Sequence, residues 1–302
     1  MSTVVSDFQP PNLVPTKAAA RPIRRRRDKT LLLVLPLGAL FVLGFMIPMF
    51  EVLRFAFTDS GPAGTHGSGL SLSQFTEFFT NPFYASLTLR TLGLALATTV
   101  ISIILSYPVA IAIVRGPRPL RTPLTAIVAL MPLMISVVVK TFGWTVLLGS
   151  NGGLQSILDT LGIPVTLLFS KTGVIIGLVH NYMPFMLLSL IASIAAIDHR
   201  TEEAAISLGS SPLAVFFRIT LPQTYNGLAA GAALTFVTSM SAFVTPQLLG
   251  GGNVDTIVNV IYDQATAAQN WSLASALGVI LLLIVFVILT VQTMVVRRAT
   301  RT

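Results

Sequence analysis

The chain contains no cysteine, so disulfides, thiolate nucleophiles and cysteine-ligated metals are excluded at the outset. Charge is scarce as well: Asp, Glu, Lys and Arg make up 10% of the 302 residues. The three histidines, His66, His180 and His199, are scattered without the spacing of a metal site. No Gly-Lys dipeptide occurs, which rules out a Walker phosphate loop, and neither H-E-x-x-H nor G-x-S-x-G is present. Paired carboxylates inside the apolar stretches, the usual parts of a proton relay, are missing too. A membrane enzyme and an ion-coupled pump thus both lack their working groups. If this protein moves a solute uphill, a partner must supply the energy.

What the chain has in quantity is hydrocarbon: 53% of its residues are hydrophobic, which places it among integral membrane proteins. A helix needs roughly 20 apolar residues to cross a bilayer. Six stretches meet that length, at about 31–57, 92–114, 124–149, 173–197, 228–250 and 273–296. The reading is an all-α integral membrane protein with six transmembrane helices over 31–296. Tyr84, Trp144, Tyr262 and Trp271 fall near the expected outer ends, where amphipathic rings favour the interface.

Basic residues set the orientation. The N-terminal segment 1–30 carries Lys17, Lys29 and five arginines, mostly within "RPIRRRRDK". The second connection adds Arg115, Arg118 and Arg121, the fourth Arg200 and Arg218, and the tail 297–302 adds Arg297, Arg298 and Arg301. Fifteen of the nineteen lysines and arginines therefore share one side, which the positive-inside rule makes cytoplasmic. Both termini are expected inside. The net charge of +8 is then accounted for by orientation and by attraction to anionic lipid, without nucleic acid. The first apolar run is too long for a secretory signal and no A-x-A cleavage site follows it, so it reads as a retained span. The outer connections hold Asp59, Glu77, Asp159, Asp255 and Asp263 with Lys171. That acidity is either the reverse of the topological bias or an entrance that concentrates cations.

A few polar residues lie within the spans. Glu51 and Arg54 are three apart and can pair on one helix face. Lys140 falls inside the third span, where it either snorkels to the outer interface or pairs as part of a pathway. Thr235, Thr238, Ser241 and Thr245 are spaced to share one face of the fifth span, as interhelical glue or as pathway lining. Gly227 and Gly231 form a small-xxx-small pair that permits close helix approach. The run "TPQLLGGG" is expected to end that helix at the outer face.

The fourth connection, 198–222, is long and patterned, and contains "EEAAISLGSSPLAVFFRITLP". Asp198 or Thr201 can cap a helix whose first turn holds Glu202 and Glu203, which suits the helix dipole. Gly209 stands where a left-handed C-terminal cap is needed. Ser211-Pro212 restarts a helix, cap then first residue, and Pro222 is expected to end it. Leu213, Phe216 and Phe217 form an apolar face. Physics alone leaves two readings, a dock for a cytoplasmic partner or a hairpin resting on the membrane.

This stretch resembles the EAA loop of permease subunits of binding-protein-dependent ABC importers, with Glu203-Ala204-Ala205, Gly209 and Leu221-Pro222 at the family's spacing. "NPFYASLTLRTLGLALATT", "SYPVAIAI", "KTFGWTVLLGSNGGLQSIL", "YMPFMLLSLIASIAAID" and "AFVTPQLLGG" are similar to the spermidine/putrescine branch. Two positions depart from that branch: Lys140 stands where arginine is usual, and Ala242 where an acidic or polar residue is common. The resemblance implies a type I importer permease fold in a bacterial inner membrane, and a loop that docks an ATPase subunit through Glu202, Glu203, Ala204, Ala205, Gly209 and Pro222. It implies as partners an ATPase dimer, a second permease and an external solute-binding protein. ATP and magnesium would sit in the partners, with no cofactor in this chain. Polyamine uptake is the implied task. Opines, aminoethylphosphonate and other small solutes are the alternatives within the branch, and a stand-alone channel or secondary transporter is the rival from another class.

Overall fold

Long apolar runs fold here into long helices, but two of the six expected spans are broken. The computed structural model describes residues 36, 38–60, 66–117 and 123–299. The basic segment 1–30, the positions of Arg118 and Arg121, and residues 300–302 lie outside the described residues. The chain divides into two units, Met1–Phe50 and Glu51–Thr302. Helix α1 (Gly38–Ala56) begins in the first and contains a widened π turn at Val42–Met46. Phe41 and Phe45, one turn apart, stack with ring centroids 5.2 Å apart. Toward its end Arg54 Nε lies 3.3 Å from Glu51, the pair expected from their spacing.

The second unit opens with an antiparallel ribbon, β1 (Thr58–Ser60) and β2 (His66–Leu70), so the fold is not wholly α. Ser272 Oγ donates to Asp59 O at 3.3 Å and ties the ribbon to the last helix. Helix α2 (Ser73–Thr80) follows, then α3 (Pro82–Arg115), which starts ten residues before the expected boundary. Asn81 explains that start, since its side chain accepts from Phe83 N–H and Pro82 fills the first helical position. Arg90 and Tyr84 thus belong to α3, and the Tyr84 ring is buried against Phe78.

The expected third span is interrupted. Helix α4 (Pro123–Leu130) gives way to a 3-10 turn at Met131–Met134, extended backbone at Ile135, and helix α5 (Val137–Leu148). Pro132 is the physical cause, because its ring lacks an N–H and clashes with the carbonyl four residues back. A short α6 (Gly153–Thr160) precedes α7 (Lys171–Ala195), whose Ser170 caps Gly173 N–H at 3.2 Å. Two short helices, α8 (His199–Ser207) and α9 (Pro212–Val215), lead to the expected fifth span. That span is a bent pair, α10 (Tyr225–Met240) and α11 (Val244–Gly250), meeting at 59°. Pro246 accounts for the bend: it cannot sit deep in a continuing helix, but the restart at Val244 puts it in a first turn, where no donor is needed. Helices α12 (Ile257–Thr266) and α13 (Trp271–Ala299) complete the chain.

Among the described residues four helices, α1, α3, α7 and α13, are long and apolar enough to cross a membrane, and the bent pair makes a fifth. The pieces of the third expected span, eight and twelve residues, are each too short to count.

Helices α3, α7 and α10 form the centre. Tyr107 and Ala110 of α3 are buried with Met186, Leu187, Leu190 and Ile194 of α7, and Leu228 and Ala232 of α10 pack against them. Close approach depends on the two glycines of α10. A Cβ at Gly227 would lie 2.3 Å from Ser193 Cβ, and one at Gly231 would lie 2.8 Å from the Met186 sulfur. The small-xxx-small reading therefore holds.

Candidate functional site

The connection between α7 and α10 is a compact hairpin built by its caps. Asp198 accepts from Arg200 N–H at 3.0 Å and opens α8. Gly209 closes it at φ +90°, with Ser210 N–H donating to Ala205 O at 3.0 Å and Gly209 N–H to Ile206 O at 2.9 Å. This paired 6→1 and 5→2 arrangement is a Schellman motif, which satisfies carbonyls the helix end leaves over. Ser211 accepts from Ala214 N–H at 3.3 Å and Pro212 occupies the first turn of α9.

Pro222 does not end the second arm. The chain stays helical through a π turn at Phe216–Thr220 and a short turn at Leu221–Gln223, and stops at Thr224 before restarting as α10. Leu221 N–H reaches Phe216 O in the widened turn. A π turn relaxes the backbone just ahead of a proline whose ring would otherwise press on the carbonyl of Arg218. Thr224 Oγ1 donates to Leu221 O at 2.9 Å, and its hydroxyl also meets that of Tyr107 on α3. The hairpin thereby runs into α10 almost without interruption.

The two adjacent glutamates face opposite ways. Glu203 is exposed, as are Ala204, Leu208, Gly209, Leu213, Phe217 and Pro222, so the outer surface mixes one acid with apolar groups. Ala205 is half-buried. Glu202 is turned inward, its side chain only 9% exposed. Its Oε1 accepts from Thr220 Oγ1 at 2.8 Å; its Oε2 lies 3.3 Å from Arg115 Nε and 3.0 Å from His199 Nδ1. Arg115 Nη2 donates to Ile194 O at 3.3 Å, in the last turn of α7, and to Ile197 O at 2.9 Å, just past its end. Glu202 was expected beside Glu203 on one docking surface. A helix turns about 100° per residue, and the structure gives the inward side to Glu202.

The hydroxyls expected on one face of the fifth span are separated by the bend. Thr235 is buried within α10, Thr238 is half-buried, and Ser241 is exposed at the break. Thr238 and Ser241 donate back to Leu234 O and Val237 O of their own helix. Thr245 lies on α11, fully buried, where it accepts from Asn181 Nδ2 at 3.0 Å and meets Thr141 at 3.4 Å. A single polar lining formed by all four is therefore absent. Lys140 is buried and does not snorkel: its Nζ donates to Pro132 O at 2.8 Å, across the break in the third expected span.

Arg115, His199, Thr220, Asn181 and Thr141 escaped sequence reasoning as parts of these clusters. Arg115 counted only toward topology, and a contact 87 positions distant in sequence from Glu202 leaves no local pattern. Thr220 could have been found, since a hydroxyl among apolar residues at the end of "VFFRIT" needs a buried partner.

A bundle of long apolar helices carrying a capped, exposed hairpin is the architecture of a multi-pass membrane protein. The chain belongs to the family described as binding-protein-dependent transport system inner membrane component, which it matches over residues 161–301. It is a multi-pass protein of the inner membrane and a permease subunit of ABC importer type. It is 32% identical over 249 residues to the spermidine/putrescine transport system permease protein PotB of Haemophilus influenzae, covering 80% of this chain and 86% of that one. The PotB of Escherichia coli is 30% identical over 253 residues, covering 83% and 91%. The fold is that of a bacterial alginate ABC transporter crystallised with its alginate pentasaccharide-bound periplasmic protein, at a TM-score of 0.74 and 19% identity, over 91% of this chain and 96% of that one.

Proposed function

We propose that this chain is the permease subunit of a polyamine importer, taking up spermidine, putrescine or a related amine. The identity to spermidine/putrescine permeases over four-fifths of the chain carries that reading. The working assembly joins it to a second permease, two cytoplasmic ATPase subunits and an external solute-binding protein. ATP and magnesium belong to the ATPase subunits. The topology has six crossings with both termini inside, counting α4 and α5 together as the third, and α10 with α11 as the fifth.

The hairpin is the joint to the motor. Glu203 and the exposed Leu208, Leu213 and Phe217 form the surface offered to an ATPase groove. Closure of the ATPase pair displaces the hairpin, and the near-continuous path through the π turn into α10 passes that displacement to the centre of the bundle. On the outer side Asp59, Asp255 and Asp263 provide a surface of the sign that a polycation favours.

The test is uptake of radiolabelled putrescine and spermidine by cells that lack their own polyamine carriers and express the four components. Uptake that needs both this chain and ATP hydrolysis is the expected result. Uptake of an opine or aminoethylphosphonate instead would overturn the substrate. Purification that recovers no ATPase with the permease would overturn the machinery.

A further inference from the structure

Glu202 stands one residue from the exposed Glu203, yet its carboxylate is turned to the inside of the protein. We propose that Arg115 and Glu202 are a positioning pair, which fastens the hairpin to the ends of α3 and α7 so that all three move as one body. The inference rests on the reading of the hairpin as the ATPase joint, but assigns it a part that faces away from the ATPase.

Four elements meet at this pair. Arg115 is the last residue of α3. Its Nη2 donates to the carbonyls of Ile194 and Ile197, so a cation closes the negative end of α7. Its Nε faces Glu202 Oε2 at 3.3 Å, with side chains 17% and 9% exposed. The other carboxylate oxygen accepts from Thr220, in the π turn that leads to α10. The guanidinium fork and the two carboxylate oxygens thus reach the ends of α3 and α7 and both arms of the hairpin. Desolvating two charges is a poor way to gain stability when apolar packing would serve. Its distinctive yield is direction: a planar guanidinium with Nη2 on two carbonyls and Nε facing a carboxylate is oriented from two sides, whereas methyl groups allow sliding. His199 adds a link outward, because its Nδ1 lies 3.0 Å from Glu202 and its Nε2 lies 3.5 Å from Glu203. The exposed acid is thereby connected through one ring to the buried one.

The test uses the whole assembly in proteoliposomes, with binding protein saturated in spermidine. Glu202→Gln keeps shape and the Thr220 contact while removing the charge. Arg115→Lys keeps the charge while losing the fork. In each, the ratio of stimulated to unstimulated ATP hydrolysis should fall by roughly tenfold, with ATPase subunits still recovered alongside the permease. The double variant should lose no more than the worse single variant, because the two groups act as one unit. Full stimulation in either single variant overturns the positioning pair while leaving the ATPase joint intact. Loss of assembly in both overturns it as well, since the pair would then serve folding alone. Failure of the wild-type chain to recover an ATPase strikes the underlying function instead.

Discussion

Gly209 holds φ at +90° and no atom lies near the place a Cβ would occupy. Substitution there is opposed by backbone conformation alone, not by a clash. Gly209→Ala should therefore cost about 1 kcal/mol, with Gly209→Asn cheaper and Gly209→Val dearer, because asparagine tolerates left-handed backbone and β-branched residues resist it. Thermal denaturation of the three purified variants checks the order. An alanine variant as stable as the parent would show that the turn relaxes without the left-handed residue. This glycine was legible in the sequence because cap chemistry is local. The division of labour between Glu202 and Glu203 was not: periodicity says that neighbours face apart, but only tertiary packing says which one faces in. Arg115 decides it, and Arg115 lies in another helix.

At the scale of elements, hydropathy found α3, α7 and α13 and missed the breaks in the third and fifth spans. An average over twenty residues is blind to direction, and a helix that bends by 59° buries as much hydrocarbon as a straight one. The signals were single residues, Pro132 and Pro246, whose effect is steric and leaves mean hydropathy unchanged. Lys140 is then explained by the break beside it: the interrupted helix leaves the Pro132 carbonyl only a long 3.4 Å bond from Ile135 N–H, and the ammonium supplies a second, shorter donor at 2.8 Å. The packing of α10 on α7 was better signalled, through Gly227 and Gly231. A methyl at Gly227 would meet Ser193 and the Ser189 carbonyl, whereas one at Gly278 in α13 would meet nothing within 4 Å. Gly227→Ala should lower stability by about 1–3 kcal/mol through overpacking. Gly278→Ala should be neutral or raise it by about 0.5 kcal/mol, as a glycine removed from a helix interior. Thermal midpoints of the two variants in one detergent provide the comparison, and equal shifts would mean that α10 slides freely on α7.

For the whole molecule, the six-crossing topology makes a demand on sidedness that the helices alone do not settle. Composition drew it from where the arginines fall, and the four long helices and one bent pair agree with it only if the broken α4–α5 segment also crosses. That segment decides on which face of the membrane the hairpin lies, and the bent α10–α11 pair decides whether the glycine turn after α11 lies on the opposite one. Bent crossings keep their backbone satisfied by local means, as the Lys140 contact does at the third, so a break is compatible with passage through lipid when other helices cover it. The absence of cysteine turns the question into a clean experiment, because any thiol introduced is the sole thiol in the chain. Ser210 and Asn253 are both exposed, one at the hairpin turn and one just past the end of α11. Ser210→Cys should react with a membrane-impermeant maleimide only in inside-out vesicles, and Asn253→Cys only in intact spheroplasts. Labelling of both from the same side would remove the fifth crossing. Labelling of Ser210→Cys from outside would invert the protein and deny the hairpin any access to a cytoplasmic ATPase.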